Sequence, residues 1–547
     1  MASSAIPPAT QFTINSSAGP KTTASERTLP VMSSTIAAID VGSNAIRLAI
    51  ATVDATGHYQ VVHNAREPVR LGHDVFATGR ISDVTMKAAL AAFRRFREQL
   101  NKYSVTRLKA VATSALREAE NGEALIGLVS KRHRIPISII GPEEEARLVH
   151  LAVKERVHLN GKIALLVDIG GGSVEISLGN NSGIIFSQSY AMGSVRLLRI
   201  LHQRRLSGNR FNQLVSRYVE VTNRRLQQEL GGQKIEMCIG TGGSIESIGD
   251  IRRELFNKRS STKITTNELA SVSRKLQALT VEERIQQFHL RPDRADVISP
   301  AALVLQNILR QARVREILIP GVGVKDGLLS EIIWEILYRG KHLALDQVLS
   351  SSLQFGRKYA FDEKHGVAVS RIALQIFDQT RHIHGLNGEG RMLLEVASLL
   401  HDVGQFVGGA NHHKHSFYLL QAGPIIGLSP SQIQMVANIA RYHRKSPPRL
   451  VHDSFRSLSP KQRRLVSTLA SILRVADAID RQHDDCVQSV NLTFKRQRVT
   501  LRLRGGGDML LAKWALAKRS DLFEKIFGKI VIEESPVKRP ARLRRAS

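Results

Sequence analysis

Two segments, AAIDVGSNAIRLAI (residues 37–50) and LLVDIGGGSVEISL (residues 165–178), share one pattern: an apolar run, an aspartate, a glycine-containing turn and a second apolar run. Glycine reaches the backbone angles of a tight turn between two strands. A turn without bulky side chains also lets its N–H groups converge on a phosphate oxygen. One such turn is typical of an ordinary glycine hairpin. Two in one chain, each beginning with aspartate, indicate phosphate chemistry and two halves of similar build.

The rest of residues 35–338 continues this alternation of glycine-bounded apolar runs and helical stretches. Further strand candidates lie at 107–114, 135–141, 234–243 and 316–323. Apolar residues at i, i+3 and i+4 predict helices at 82–102, 142–157, 211–229 and 294–312. This alternation predicts an α/β fold. From residue 344 the spacing becomes mostly helical, with strand candidates near 486–503 and 529–533.

The chain of 547 residues carries a net charge of +30, which attracts polyanions. Charge alone does not separate nucleic acid, anionic lipid and a condensed phosphate chain, and it is also compatible with an ordinary solvated surface. Aromatic residues are 5% of the chain and no zinc-finger pattern occurs, so we expect no specific nucleic-acid partner. No apolar run approaches the roughly 18 residues of a spanning helix, so we expect no membrane association. Two distant cysteines, Cys238 and Cys486, suit the reducing cytoplasm.

Six segments, taken in order, resemble the exopolyphosphatase and guanosine pentaphosphate phosphatase (Ppx/GppA) family of the actin-like superfamily. They are residues 37–50, 111–122 (VATSALREAENG), 141–153 (GPEEEARLVHLAV), 165–178, 240–248 (GTGGSIESI) and 320–329 (PGVGVKDGLL). The resemblance implies α/β architecture with two actin-like (ribonuclease H-like) lobes, followed by a mainly α-helical domain. The expected segments are a disordered tail at 1–34, lobe I at 35–160, lobe II at 161–338, the helical domain at 344–535 and a basic tail at 536–547.

The resemblance also implies an enzyme whose active site lies between the lobes. There Mg²⁺ would assist the attack of water on the terminal phosphate of inorganic polyphosphate or, as the alternative, of guanosine pentaphosphate (pppGpp). The charge of +30 favours polyphosphate, because a chain of many charges can use an extended basic surface. Members of the family are often homodimers, and we expect one here.

Both turns are predicted to bind phosphate, with their aspartates binding Mg²⁺ directly or through water. The metal candidates are Asp40 and Asp168, joined by Glu175. The phosphate-binding candidates are Gly42, Ser43, Asn44, Arg47, Gly170, Gly171, Gly172 and Ser173. Arg47 is the weakest of them. Ala45 stands where the family often has serine, which removes one hydroxyl.

Glu145 matches the catalytic base of the family, which would orient the attacking water. It belongs to an acidic run at the start of a predicted helix, and Glu144 is the alternative base. A purely structural alternative is that the acidic run offsets the dipole at the N-terminus of the helix.

Glu175 follows Ser173 by two residues, so strand alternation places both on one side, facing the cleft. It is predicted to act as a metal ligand or second base; the alternative is a surface carboxylate. Arg117 matches a family arginine that contacts phosphate, where a planar guanidinium suits the oxygens. Its alternative is a surface pair with Glu118 or Glu120.

The C-terminal region contains His365, the pair His401-Asp402, and Asp477 in an order that resembles the HD phosphohydrolase superfamily. In that superfamily imidazoles and carboxylates hold divalent metals that activate water. The resemblance implies a divalent transition metal at these four residues, since imidazole favours such ions over magnesium. The alternative is a degenerate domain without metal. An apolar stripe on 391–401 predicts a packed helix that presents His401 and Asp402 at its end.

Other basic residues of this region are candidates to extend the site or to guide a polyanion. The additional histidines are His412, His413, His415 and His443. Two cationic stretches, 441–445 and 461–464, suit a long anionic chain, or are simply exposed helix faces.

Two further classes of function fit the motifs less well. A nucleotide sensor without turnover would lack catalytic carboxylates, yet Glu145, Asp168 and Glu175 are all present. An ATP-dependent sugar kinase shares the glycine turns, but the match continues into 111–122 and 141–153. In this family the GTGG turn need not bind a nucleobase, so we do not predict ATP as a cofactor.

Overall fold

The computed structural model divides the chain into two compact units, residues 1–343 (unit 1) and 344–547 (unit 2). It describes residues 34–181, 183–204, 234–337, 344–423, 425–495, 498–505 and 509–534, with single positions between 205 and 233. Apart from Ser34, the predicted tails at 1–34 and 536–547 therefore lie outside the described residues. The predicted helix at 211–229 lies almost wholly outside them.

The described strands of unit 1 form two sheets. They are β1 (Ser34–Val41), β2 (Ile46–Val53), β3 (Tyr59–Glu67), β4 (Arg107–Ala112), β5 (Ser138–Ile139), β6 (Ala164–Ile169), β7 (Val174–Asn180), β8 (Gly183–Tyr190), β9 (Met237–Thr241), β10 (Lys263–Thr265) and β11 (Glu316–Leu318). The sheet orders are β3-β2-β1-β4-β5 and β10-β11-β9-β6-β7-β8. Read from β3, the first sheet begins β3-β2-β1-β4, and read from β8, the second sheet begins β8-β7-β6-β9. In each sheet, these are the third, second, first and fourth strands of that sheet in chain order. The two sheets therefore repeat one topology, and the predicted fold class of two actin-like lobes is confirmed.

Helices accompany both sheets, which we call lobe I (β1–β5) and lobe II (β6–β11). They are α1 (Leu71–Thr78), α2 (Asp83–Lys102), α3 (Ser114–Glu118), α4 (Gly122–His133), α5 (Pro142–Arg156), α6 (Ser194–Arg204), α7 (Gly243–Leu255), α8 (Thr266–Ala278), α9 (Val281–Phe288), α10 (Pro292–Ala295), α11 (Ile298–Gln311) and α12 (Val324–Leu337). Side-chain hydrogen bonds fix the residues at which several of these helices begin. The Ser82 side chain accepts the Thr85 N–H before α2, and Thr265 forms a capping box with Glu268 before α8.

Two predicted elements of unit 1 differ from the structure because of proline. The strand expected at 135–141 shrinks to Ser138–Ile139, since Pro136 has no N–H to donate to a neighbouring strand. The helix expected at 294–312 is interrupted and begins anew at Ile298. Pro300 cannot donate the hydrogen bond that would run back to residue 296. The helices expected at 82–102 and 142–157 are confirmed.

Alternate residues of β1 face two different cores. Ile39 packs with side chains of α1, α2 and α4 in the core of lobe I. Ile36 points the other way, into a core that also contains Leu166 of β6, Leu148 of α5 and Leu328 of α12. Because this second core is shared by both sheets, it joins the lobes and fixes the positions of their turns.

The two Asp-containing hairpins match in register. In lobe I Asp40 lies opposite Arg47, and in lobe II Asp168 lies opposite Glu175. In each turn the first glycine N–H donates to the carbonyl three residues on, at 3.2 Å in lobe I and 3.0 Å in lobe II. The predicted similarity of the two halves is therefore confirmed at the turns, but the residue opposite the aspartate has the opposite charge.

Unit 2 is mainly helical, as predicted, and carries one small sheet. Its helices are α13 (Ala344–Lys358), α14 (Glu363–His384), α15 (Gly388–Leu400), α16 (His412–Ala422), α17 (Pro430–Arg441), α18 (Asp453–Arg456), α19 (Pro460–Ile479), α20 (Leu510–Arg519) and α21 (Asp521–Phe527), with a 3₁₀ turn at Val403–Phe406. The sheet has the order β12 (Val487–Lys495), β13 (Arg498–Gly505), β14 (Lys529–Glu534), which confirms both predicted strand regions.

The cationic stretch at 441–445 is not an exposed helix face. It begins at Arg441, the last residue of α17, and Tyr442 and His443 are buried. Among the helices that the structure describes, none combines the length and the apolar character needed to cross a bilayer.

Candidate functional site

The two glycine turns of unit 1 meet across one cavity. Seven of the eight predicted phosphate-binding residues of the turns and β2 line it: Gly42, Ser43, Asn44, Arg47, Gly170, Gly171 and Ser173. A Cβ built on Gly171 would lie 3.0 Å from the Ser43 Cβ and 3.4 Å from the Asn44 nitrogen. Any side chain at Gly171 would therefore crowd the turn of lobe I. Of the eight, Gly172 is the one that the described cavity wall does not include.

Helix α6 fixes the lobe II turn by donating hydrogen bonds to the carbonyls of the turn. The Ser194 N–H donates to the Gly170 carbonyl at 3.0 Å, and the Val195 N–H donates to the Gly171 carbonyl at 2.9 Å. These are the first N–H groups of the helix, which have no partner within it. The turn is thus fixed by backbone hydrogen bonds before any ligand arrives.

Three carboxylates converge beside the turns. One oxygen each of Glu145, Asp168 and Glu175 lies within 4.8 Å of the others. Glu145 is 6% exposed and Glu175 is 2% exposed, so the alternative of a surface carboxylate at Glu175 is wrong. Ser189 Oγ donates to Glu175 Oε1 at 2.8 Å. Within the described residues, Oε2 of Glu145 and Oε2 of Glu175 are buried without a hydrogen-bond partner.

Burial and mutual repulsion make these carboxylates hard to ionise. Burial raises the pKa of Asp168 to about 6. Burial, with the charge of Asp168, raises the pKa of Glu175 to about 7. The pKa of Glu145 is raised well above its ordinary value by burial and by the charge of Glu175. Buried oxygens without partners, in a site of oxygen donors, fit a hard divalent cation such as Mg²⁺.

The structure separates Glu145 from Glu144 within the acidic start of α5. Glu144 accepts two hydrogen bonds of 2.7 Å from Arg147, which is 5% exposed. Arg147 also pairs with Glu331 at 2.5 Å. Glu144 is therefore engaged in an ion pair with buried Arg147 and is itself partly exposed, whereas Glu145 is buried and faces the cavity.

Arg117 lies behind Glu145. Its Nη1 donates to the Ile140 carbonyl at 2.7 Å and lies 3.9 Å from Glu145 Oε2. The alternative pair with Glu118 or Glu120 is wrong, because both glutamates pair with other arginines. The described cavity wall does not include Arg117, so its contact with phosphate stays a prediction.

Asp40 and Asn44 line the cavity but already have protein partners. Arg47 Nη1 lies 3.5 Å from Asp40 Oδ2, and the described carboxylate trio does not include Asp40. The side-chain nitrogen of Asn44 donates to the carbonyl and to Oδ2 of Asp293, at 2.9 and 3.2 Å. Asn44 therefore joins the lobes, and its predicted role in phosphate binding is untested.

Arg294 is a cavity residue that sequence reasoning missed. It is 5% exposed and donates to Ser244 Oγ at 2.7 Å. A Cβ built on Gly243 would lie 2.6 Å from Arg294 Nη2 and 2.8 Å from Arg47 Nη2. Burial, followed by the charge of Arg47, lowers the pKa of Arg294 to about 10. Two guanidinium groups that approach one point form a site for an anion.

The four predicted metal residues of unit 2 also converge. Nε2 of His365 and Nε2 of His401 each lie 3.7 Å from Asp477 Oδ1. His401 Nε2 also lies 3.7 Å from Asp402 Oδ1. The imidazoles are buried, and α15 ends at Leu400, so it presents His401 and Asp402 at its end as predicted.

Other residues around this cluster divide into expected and missed ones. His412 and His443 join it, with Nε2 atoms 3.0 and 3.3 Å from Asp402 Oδ1. The groups of facing ligands found among the described residues do not include His413 or His415. The ring of His483, which sequence reasoning missed, stacks on His365 with centroids 3.6 Å apart. The run RQHDD after Asp480 was the available signal.

A cavity of this composition, between two lobes of one topology, belongs to an actin-like enzyme that handles phosphate. The family profile described as "Ppx/GppA phosphatase family" matches residues 49–335, and that described as "Ppx/GppA phosphatase, domain III" matches residues 349–524. The chain belongs to the Ppx/GppA phosphatase family. It is a hydrolase of phosphoanhydride bonds, as predicted.

A solved structure shows the same fold over just over half of this chain. A crystal structure of an exopolyphosphatase from Cytophaga hutchinsonii matches at 24% identity with a TM-score of 0.51, covering 55% of this chain and 97% of that chain. The Aquifex aeolicus member of the Ppx/GppA family matches at 23% identity with a TM-score of 0.47, covering 55% and 99%.

Proposed function

We propose that unit 1 is an exopolyphosphatase, which releases orthophosphate from the end of inorganic polyphosphate. The observation that carries this proposal is the buried trio Glu145, Asp168 and Glu175 beside two facing glycine turns. Phosphatases of this family act on polyphosphate or pppGpp and generally depend on a divalent metal. The net charge of +30 favours the polymer.

The three carboxylates have different roles in this proposal. Asp168 and Glu175 would hold Mg²⁺, which would offset the negative charge on the transferring phosphoryl group. Glu145 orients a water molecule and accepts its proton. Arg117, 3.9 Å from Glu145, favours the ionised form that this step requires.

The two glycine turns and two arginines bind the polyphosphate. Backbone N–H groups of the two turns bind oxygens of the terminal phosphate. Arg47 and Arg294 bind the next phosphate at the point where their guanidinium groups approach each other. The oxygen of water then bonds to the terminal phosphorus as the P–O–P bond breaks. The shortened chain leaves with the bridging oxygen, and the proton of water passes to Glu145.

Phosphate release from long polyphosphate and from pppGpp, measured side by side with Mg²⁺, tests the proposal. We expect a higher kcat/KM on polyphosphate, with orthophosphate as the small product. A preference for pppGpp would overturn the substrate and leave the roles of the residues intact. Release from neither substrate would overturn the function itself.

A further inference from the structure

Ser189 and Glu175 face each other on the neighbouring strands β8 and β7. The Ser189 Oγ donates a hydrogen bond of 2.8 Å to Glu175 Oε1. A hydrogen bond to an ionised carboxylate is stronger than one between neutral groups, and the burial of Glu175 strengthens it further. The described cavity wall does not include Ser189, so this serine acts through Glu175.

The hydrogen bond engages one oxygen of Glu175 and leaves the other free. Oε2 of Glu175 is buried and has no hydrogen-bond partner within the described residues. One oxygen each of Glu145, Asp168 and Glu175 lies within 4.8 Å of the others. Because Ser189 holds Oε1, and with it the plane of the carboxylate, Oε2 is the atom that Glu175 can offer to a cation.

A second hydroxyl contact on the same two strands differs in its partner. Ser187 lies opposite Ser177, and their Oγ atoms are 2.9 Å apart. Ser187 is two residues from Ser189, and Ser177 is two residues from Glu175, so strand alternation places both contacts on one face of the sheet. The contact of Ser187 joins two hydroxyl groups, whereas that of Ser189 reaches a carboxylate of the trio. The two serines are therefore a matched pair for comparison.

The number of oxygens that a carboxylate offers bears on the choice between Mg²⁺ and Ca²⁺. Mg²⁺ is small and requires near-ideal octahedral geometry, whereas Ca²⁺ accepts more ligands at longer distances, including both oxygens of one carboxylate. The two oxygens of one carboxylate lie too close together to fill two octahedral positions at the short Mg²⁺ distance. A carboxylate held to one free oxygen therefore favours Mg²⁺.

We propose that Ser189 is a positioning residue, which makes Glu175 a ligand through one oxygen and thereby favours Mg²⁺ over Ca²⁺ in unit 1. The inference rests on the proposed function, in which Asp168 and Glu175 would hold Mg²⁺. Without the hydroxyl of Ser189, the carboxylate of Glu175 can turn and offer both oxygens. The loss of Ser189 should therefore affect the two ions differently.

Metal-dependent melting gives the first test. The transition of unit 1 is followed in the full chain across a series of Mg²⁺ and of Ca²⁺ concentrations, since binding to the folded state raises the melting temperature. The His401→Ala/Asp402→Ala background removes any contribution of metal bound at the cluster of unit 2. Ser189→Ala should weaken Mg²⁺ binding about tenfold or more, the scale of losing a group that orients a metal ligand.

Binding of Ca²⁺ to the Ser189→Ala variant should stay within about threefold of the unaltered value or become tighter, because Ca²⁺ can use both carboxylate oxygens. Ser189→Thr keeps the hydroxyl and should restore Mg²⁺ binding. Ser187→Ala is the matched control and should leave the binding of both ions unchanged. If Ser189→Ala does not fold, as judged by circular dichroism, Ser189→Cys replaces it, because a thiol is a weak donor.

Hydrolysis of short polyphosphate gives the second test. In Ser189→Ala, the Mg²⁺ concentration for half-maximal rate should rise about tenfold, while kcat at saturating Mg²⁺ stays within about threefold. This split is expected because Glu145 is unaltered. A purely structural role of Ser189 would not shift the requirement for Mg²⁺ in this way.

Four results would overturn the inference. Three of them leave the proposed function intact: unchanged Mg²⁺ binding in Ser189→Ala, an equal loss of Mg²⁺ and Ca²⁺ binding in that variant, and a loss of the same size in Ser187→Ala. The fourth is an unaltered protein whose unit 1 shows no effect of Mg²⁺ on melting or on hydrolysis. That result would overturn the assignment of Mg²⁺ to Asp168 and Glu175 as well.

Discussion

Both units gather buried carboxylates around a small space, but they balance the charge in opposite ways. In unit 1, burial and neighbouring acids raise the pKa of Asp168 and Glu175. In unit 2, burial is outweighed by facing imidazoles, which lower the pKa of Asp402 and Asp477. The first cluster therefore needs a cation once it is ionised, whereas in the second the facing imidazoles stabilise the ionised carboxylates. Oxygen donors suit Mg²⁺, and mixed imidazole and carboxylate donors suit a transition metal.

The contrast between the two units depends first on Glu145 acting as the general base of unit 1. Glu145→Gln should slow polyphosphate hydrolysis about 100-fold or more, because a positioned general base is lost. Binding of polyphosphate should largely survive. Steady-state kinetics and a filter-binding assay measure the two effects.

Glu144→Gln is the matched control for this change. It removes one partner of the buried Arg147, so it should lower the melting temperature while leaving turnover near normal. A Glu145 variant with normal turnover, next to an inactive Glu144 variant, would show that the wrong carboxylate was assigned.

The salt dependence of affinity distinguishes substrate binding by unit 1 from the hydrolysis step. If an extended basic surface captures polyphosphate, affinity for long chains should fall about tenfold or more between 50 and 200 mM salt, since each neutralised phosphate releases counterions. Affinity for short chains should fall less. Binding measured across a salt series gives both slopes, and equal slopes would exclude an extended track.

Removal of metal tests whether the two clusters act independently. After treatment with chelator, Mg²⁺ alone should restore hydrolysis of short polyphosphate to within about twofold, because oxygen donors suffice for that ion. The double variant His401→Ala/Asp402→Ala should recover equally while holding no transition metal. Complete loss of hydrolysis in this variant, with the fold intact, would place the chemistry outside the cleft of unit 1.

The smallest expected effect is on thermal stability. Asp168 and Glu175 bind protons more tightly in the folded chain, so between about pH 4 and 7 they cost stability as pH rises. Bound Mg²⁺ offsets this cost once they are ionised. We expect Mg²⁺ to raise the melting temperature of unit 1 by about 2–4 °C at pH 8 and hardly at all at pH 5.

Calorimetry with and without Mg²⁺ measures this shift. Glu175→Gln should reduce it at pH 8. The lowered pKa values in unit 2 predict the opposite trend: Asp402 and Asp477 contribute stability above about pH 4, and this contribution is lost as pH falls. A shift of equal size at both pH values would contradict the assignment of Mg²⁺ to the carboxylate trio.

The sequence predicts best where the signal is local. The turns after Asp40 and Asp168 are short patterns of glycine and aspartate between apolar runs, and the structure has both. The cluster of unit 2 was accessible for a similar reason, because His401 and Asp402 adjoin at the end of an apolar helix.

Contacts made by the tertiary fold were not accessible from the sequence. Arg47 and Arg294 are 247 positions apart in the chain, and no spacing rule brings them both to Gly243. The position of Arg117 behind Glu145 depends on how the chain before α5 passes over α3. His483 reaches His365 through a stack between distant segments.

The matched hairpins of unit 1 give the cavity a direction. Across from its aspartate, lobe I has the cation Arg47, whereas lobe II has the anion Glu175. A linear polyanion therefore meets two unlike ends, and we expect its inner phosphates to lie toward Arg47 and its last phosphate toward Glu175. After each cut, a slide by one repeat returns the polymer to the same arrangement. An enzyme with this asymmetry would shorten a chain stepwise from one end.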